Sequence, residues 1–311
     1  MANAAGSDGL RLVVVCGREP VRLFPPINSP VPRTQSYSFI YSPYLNKKMM
    51  SLFLQNALIG SLLASLLCAM VGTYVVTRRL VIAGGGVAHA SLGGVGLGAY
   101  FGFSPLLGAA GFALLSGLAI DGLSRGRLRE DSAIAMLWTF GMSIGILMSY
   151  LTPGFMTDLP LYLFGDILSI TRADLWLTGV LALVAGATYA LLLPAIITVA
   201  YDRDFAVTQG LPVRWIEIGM TALTALTIVA CLRLVGIVMV ISLLSVPQAT
   251  AALFVRTFRG MILLSAVFAL AACLGGLWLS YALNVPCGAA IILLSISGYF
   301  VCRLFWRLRG K

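Results

Sequence analysis

The feature that most constrains this chain is a succession of apolar stretches, each long enough to cross a lipid bilayer. From residue 51 they run Ser51–Val76, Leu80–Phe103, Leu106–Leu123, Ala133–Leu151, Leu175–Ala200, Trp215–Phe254, Gly260–Leu283 and Pro286–Phe305. A helical crossing of the hydrocarbon core takes roughly 20 apolar residues. The chain is 59% apolar and 10% charged, whereas a soluble domain carries about 25% charged residues. A water-soluble fold would lack the polar residues to cover that much apolar surface. The expected fold is therefore all-α: a polytopic transmembrane helical bundle of about 8–9 helices. The count turns on Trp215–Phe254, which has room for two passes or for one pass plus a broken helix.

The net charge of +10 does not point to nucleic acid, because the basic residues sit in short clusters between apolar runs rather than along a stripe. Arg125/Arg127/Arg129, Arg203/Arg214, Arg256/Arg259 and the tail Arg307/Arg309/Lys311 fit cytoplasmic loops under the positive-inside bias, with the C-terminus cytoplasmic. Alternation then sets Thr152–Asp174 and the turns at Phe103–Pro105 and Asn284–Pro286 outside. Residues 1–48 differ from the rest: they carry Arg11, Arg18, Arg22, Arg33, Lys47 and Lys48, several prolines and no run able to cross a membrane. They read as an N-terminal extension, disordered or preceding a natural start at Met49 or Met50, and residues 49–311 as the membrane domain. The six cysteines, Cys16, Cys68, Cys231, Cys273, Cys287 and Cys302, contain no C-x-x-C pair and read as small apolar fillers.

Within the second run, Ala83-Gly-Gly-Gly-Val-Ala-His89-Ala-Ser-Leu-Gly-Gly-Val-Gly-Leu-Gly98 stands apart. On a helix His89 shares a face with Gly85, Gly86 and Gly93, with Gly96 two turns along. Small residues at that spacing allow another helix to approach closely, so the histidine is expected to point into protein or an internal cavity. It is the only histidine in the chain. An ionisable group at membrane depth is costly and is a functional candidate by default, and imidazole is a favoured ligand for transition metals. A neutral histidine bonded to a neighbouring carbonyl is the plain alternative. Zinc normally takes four ligands, so His89 alone makes no metal site.

The loop 201–214 also carries a pattern. Asp202 or Asp204 can cap a short helix, Phe205–Gln209 supplies about one and a half turns, and Gly210 with Pro212 ends it. Between two spans, such a helix is either a docking knob for a soluble partner or an ordinary turn. No G-x-x-x-x-G-K-[ST] occurs, so an ATP-driven process would need its motor on another polypeptide.

Taken in order, Arg78-Arg79-Leu80 with Ala88-His89-Ala90-Ser91-Leu92, Arg127–Ile134, Tyr162–Leu168, Asp204–Leu211, Leu232–Ile237 and Ser242–Ala251 resemble the membrane permeases of ATP-binding-cassette importers for zinc, manganese or iron. The resemblance covers roughly residues 50–305. It implies a permease subunit of the plasma membrane rather than an enzyme, with no permanently bound cofactor and a divalent metal ion as cargo. Its implied partners are cytoplasmic ATPase subunits, an extracytoplasmic metal-binding protein, a second permease copy and membrane lipid, and no nucleic acid. It makes the 201–214 loop the coupling helix, with Asp204, Phe205, Gln209 and Gly210 as contacts, and His89 a transient metal ligand, with Ser91 as a second candidate. Many members carry an aspartate one turn before the histidine. Here Gly85 occupies that position, which leaves a softer, less charged site. A weak site suits conduction, since an ion must leave as readily as it enters. The competing functions are a permease of the same architecture carrying a metal chelate or other small organic ligand, and a self-sufficient secondary carrier.

Overall fold

The computed structural model describes residues 43–124, 129–152, 165 and 170–309. Most of the 1–48 extension, Arg125, Arg127, Lys311 and the Tyr162–Leu168 segment other than Gly165 lie outside the described residues. Contacts divide the chain into residues 1–47 and 48–311.

The described residues form ten helices and no strand. Helix α1 spans Pro43–Thr77. It ends in a tight turn in which Arg79 takes a left-handed conformation, φ 60°, while the Leu80 amide reaches back to the Val75 carbonyl at 2.8 Å. Helix α2, Val81–Phe101, stops at the left-handed Gly102. Helix α3, Pro105–Ser124, opens on proline, whose fixed φ and missing N–H suit a first helical position. Helix α4, Glu130–Leu151, places Glu130 and Asp131 in its first turn, where carboxylates complement the helix dipole. Helix α5, Arg172–Tyr201, begins with a capping box between Thr171 and Asp174. The short α6, Arg203–Thr208, leads into α7, Val213–Val235, and α8, Ile237–Ala251. Helices α9, Phe258–Leu283, and α10, Cys287–Arg309, follow.

Eight of these helices, α1–α5, α7, α9 and α10, are long and apolar enough to cross a membrane. The chain is a multi-pass membrane protein, and the apolar run 215–254 resolves into one full-length helix and a shorter one. The break falls at Gly236, φ 76°, a conformation that costs any residue with a Cβ. The 15 residues of α8 rise about 22 Å, short of the roughly 30 Å hydrocarbon core. Gly165 packs against this reversal so closely that a methyl group there would overlap the backbone of Val235 and Gly236.

Helices α1, α2 and α7 are the most enclosed. Large apolar side chains on the outer helices, such as Leu183, Leu191, Phe300 and Val301, face outward, as a lipid environment requires. Helix α8 is pinned to α1 by Gln248, fully buried, whose amide donates to the carbonyls of Cys68 at 2.8 Å and Leu243 at 3.1 Å. Gly72 leaves the room for it: a Cβ at that position would collide with the Gln248 amide. Cys68, Cys231 and Cys273 are buried free thiols.

Candidate functional site

More than half of helix α2 is glycine, alanine or serine, and two neighbours exploit this. On one side it forms an antiparallel hairpin with α3, in which Gly94 meets the Gly108 carbonyl and Gly98 meets Pro105. On the other it lies against α4. Directions from Gly86, Gly93 and Gly96 meet Ile134, Gly141 and Gly145 respectively, an order that rises together along both chains and makes α2 and α4 parallel. A Cβ on Gly93 would sit 2.8 Å from the Gly141 carbonyl oxygen, and one on Gly96 would sit 2.5 Å from that of Gly145. Of the four glycines expected to pack helices, three therefore face α4. Gly85 faces α8 instead, with Ile241 Cδ1 3.7 Å from where its Cβ would lie. The empty carboxylate position is filled by ordinary van der Waals contact.

His89 lies on the α4 side of α2. Its ring stacks on Trp138 with centroids 4.4 Å apart and planes inclined by 10°, and the Trp138 indole N–H points to the Met142 sulfur at 3.0 Å. The histidine is half-buried, and its Nδ1 is buried without a hydrogen-bond partner among the described residues. Ser91 is fully buried, and its hydroxyl donates to the Ala88 carbonyl at 2.6 Å. Two residues along a helix is a turn of about 200°, so His89 and Ser91 point to nearly opposite sides and are not brought together. No group of three or more His, Cys, Asp or Glu residues able to hold a metal occurs among the described residues.

A cavity of about 370 Å³ opens between the ends of α1, α2, α3 and α7. Its wall from α2 is Ala83, Gly84 and Val87, the side of that helix away from His89. Its polar lining comes from Tyr74, Arg78, Asp121, Glu130, Arg203, Glu217, Thr221 and Thr224. Glu217, 7% exposed, accepts from Arg78 at 2.7 Å and from Arg203 at 3.1 Å. Arg78 also donates to the Val199 carbonyl at 3.2 Å. Only Glu217 is buried; its arginines are 23% and 47% exposed, so losing one of them costs less than the roughly 3–5 kcal/mol of breaking a fully buried pair. At the opposite end of α7, Arg233 pairs with the buried Asp174 at 3.2 Å. Sequence reasoning missed both clusters. The available signal was that Glu217 and Arg233 interrupt an otherwise apolar run near its two ends.

The short helix forms as its residues direct. Of the two candidate caps, Asp202 acts: its carboxylate accepts from the Phe205 amide at 2.9 Å. Gly210, φ 72°, turns the chain back toward α7. Val199, Ala206 and Val213 make a small apolar anchor beneath the helix. Asp204, Phe205, Gln209 and Gly210 are all exposed, and Phe205 and Gln209 edge an open groove shared with Leu191, Leu192 and Pro194 of α5.

Comparison with known proteins adds an independent line. Residues 50–306 match the ABC 3 transport family. A membrane protein of Synechocystis sp., described as uncharacterized, is 41% identical over 256 residues, 82% of this chain and 91% of its own length. The manganese transport system membrane protein MntC of Listeria monocytogenes is 30% identical, covering 86% of this chain and 95% of that protein. Among solved structures, PsaBC from Streptococcus pneumoniae in complex with Fab superposes with a TM-score of 0.74 at 28% identity, over 80% of this chain and 90% of that one.

Proposed function

This chain belongs to the ABC 3 transport family, a family of membrane permeases of ATP-binding-cassette transporters, and from that premise we propose that it imports a divalent metal ion. Manganese is the first candidate, because manganese-system relatives align over nearly their whole length; zinc and iron are the others. The permease sits in the plasma membrane as a dimer of two copies, with its C-terminus in the cytoplasm. Cytoplasmic ATPase subunits supply the energy, and an extracytoplasmic binding protein delivers the ion.

The observation that carries the reading is helix α6: six residues between two full-length helices, capped by Asp202 and ended by Gly210. Apart from the buried Ala206 and from Arg203, which pairs with Glu217, its residues stand clear of the bundle. An exposed, well-capped knob on an apolar anchor is the shape a soluble motor needs to grip. Asp204, Phe205, Gln209 and Gly210 form its contact face. His89 acts as a transient ligand. Its support is the unpartnered Nδ1 and the half-open ring, with a neutral imidazole offering a weak site for an ion that must not be trapped. Ser91, whose hydroxyl is committed to its own helix, is the weaker candidate.

The test is reconstitution into proteoliposomes. Manganese uptake is expected only when the ATPase, ATP and the binding protein are all present. Uptake by the permease alone, driven by an ion gradient, would replace this reading with a secondary carrier.

A further inference from the structure

The docking reading leaves the ion cluster beside α6 without a task. Arg203 is the first residue of α6, Arg78 follows the last residue of α1, and Glu217 lies in the first turns of α7. One carboxylate oxygen, Glu217 Oε1, accepts from both arginines, at 2.7 Å and 3.1 Å. Arg78 reaches further to the Val199 carbonyl at the end of α5. Four helix ends thus converge on one buried carboxylate, and all three charged groups line the 370 Å³ cavity.

We infer that Glu217 is a positioning residue that links movement of α6 to the wall of the cavity. This rests on the reading of α6 as the coupling helix. Among the described residues, the other ties of α6 are turns at Asp202 and Gly210 and the apolar anchor of Val199, Ala206 and Val213 with Leu211 and Ile216, which belong to α5, α6, α7 and the turn between α6 and α7 rather than to α1. The charged triad Arg203–Glu217–Arg78 does reach the end of α1. A bond to a buried charge is strong, and losing Arg203 leaves Glu217 with one of its two cations. A displacement of α6 therefore carries Glu217, and with it Arg78 and the ends of α1 and α7, rather than sliding past them. Were Glu217 present only to neutralise Arg78, the charge at residue 203, half-exposed on the short helix, would be dispensable.

The experiment uses the full permease with its ATPase and binding protein in proteoliposomes, reading manganese ions taken up per ATP hydrolysed. In Glu217→Gln and Arg203→Gln the ATPase still co-purifies, and ions moved per ATP fall on the order of tenfold, within the range by which residues outside a ligand site modulate coupling. Arg203→Lys, which keeps the charge, restores most of the ratio. An unchanged ratio in Arg203→Gln overturns the inference, as does an Arg203→Lys variant no better than Arg203→Gln. Should Glu217→Gln fail to assemble, the two Arg203 variants decide alone. Gly210→Trp isolates the underlying reading. If it keeps its ATPase, α6 is not the docking helix and the inference falls with it. If it loses the ATPase while Arg203→Gln transports normally, only the inference falls.

Discussion

The close approach of α2 to α4 predicts sharply different outcomes for two chemically identical substitutions on one helix. In Gly96→Ala the new methyl carbon would lie 2.5 Å from the Gly145 carbonyl oxygen and 2.8 Å from the Gly145 Cα. Comfortable contact lies near 3.5 Å, so the deficit is about 1 Å. The obstacle is backbone, which cannot rotate aside, so the helices must part along a seam that Gly93, Gly141 and Gly145 also share. Overpacking of this kind costs about 1–3 kcal/mol. Alanine favours a helix over glycine by about 0.5–1 kcal/mol in water, but less here, because a membrane helix stays helical when its packing is lost. The net expectation is a loss of about 1–2 kcal/mol. In Gly84→Ala, three turns earlier on α2, the methyl meets nothing within 4 Å, and the change is neutral or slightly stabilising. Thermal unfolding in one detergent, followed for both variants beside the parent, separates them. Gly93→Ala combined with Gly96→Ala should cost less than the sum, since one separation relieves both clashes. A Gly96→Ala protein as stable as Gly84→Ala would refute the seam.

Three further outcomes follow from the site geometry. His89→Ala should slow manganese uptake in the reconstituted system while leaving assembly with the ATPase intact; identical uptake kinetics would remove His89 from the transport path. Gly210→Trp should cost the free permease only about 1–2 kcal/mol, the left-handed penalty, because a Cβ there would point into open space with nothing within 4 Å. Its main effect should be loss of the co-purifying ATPase. Asp174→Ala should destabilise by about 1–3 kcal/mol, since it removes both a capping-box partner and the buried half of the pair with the half-exposed Arg233. Asp174→Asn, able to keep the cap, should fall between it and the parent in thermal midpoint.

The membrane architecture was legible because bilayer crossings need length and apolarity, and both are properties of a local stretch. The capped helix at 203–208 was legible for the same reason: an aspartate, one and a half turns and a glycine suffice. The choice of Asp202 over Asp204 follows from which carboxylate reaches the Phe205 amide, a detail that needs coordinates. Periodicity alone does not say which neighbour each packing glycine of α2 meets: Gly86, Gly93 and Gly96 face α4, whereas Gly85 faces α8. His89 and Ser91 show the limit more plainly. Their proximity in sequence suggested a shared site, whereas a spacing of two along a helix sends them to opposite sides. The Arg78–Glu217–Arg203 cluster joins residues up to 139 positions apart. No local pattern marks such a convergence beyond a lone acid near the edge of an apolar run.

The interlocked glycines of α2 have a kinetic consequence. With carbonyls of α3 and α4 seated in the gaps where side chains would be, neither helix can ratchet past α2 without unseating several contacts at once. On the importer reading proposed above, alternating exposure of the ion to the two sides is then expected as a rotation of this three-helix slab as a unit, hinged where α3 meets side chains of α7, as where Thr221 approaches Gly117. Paired spin labels on the outer faces of α2 and α4 would report a single unvarying distance through the whole transport cycle.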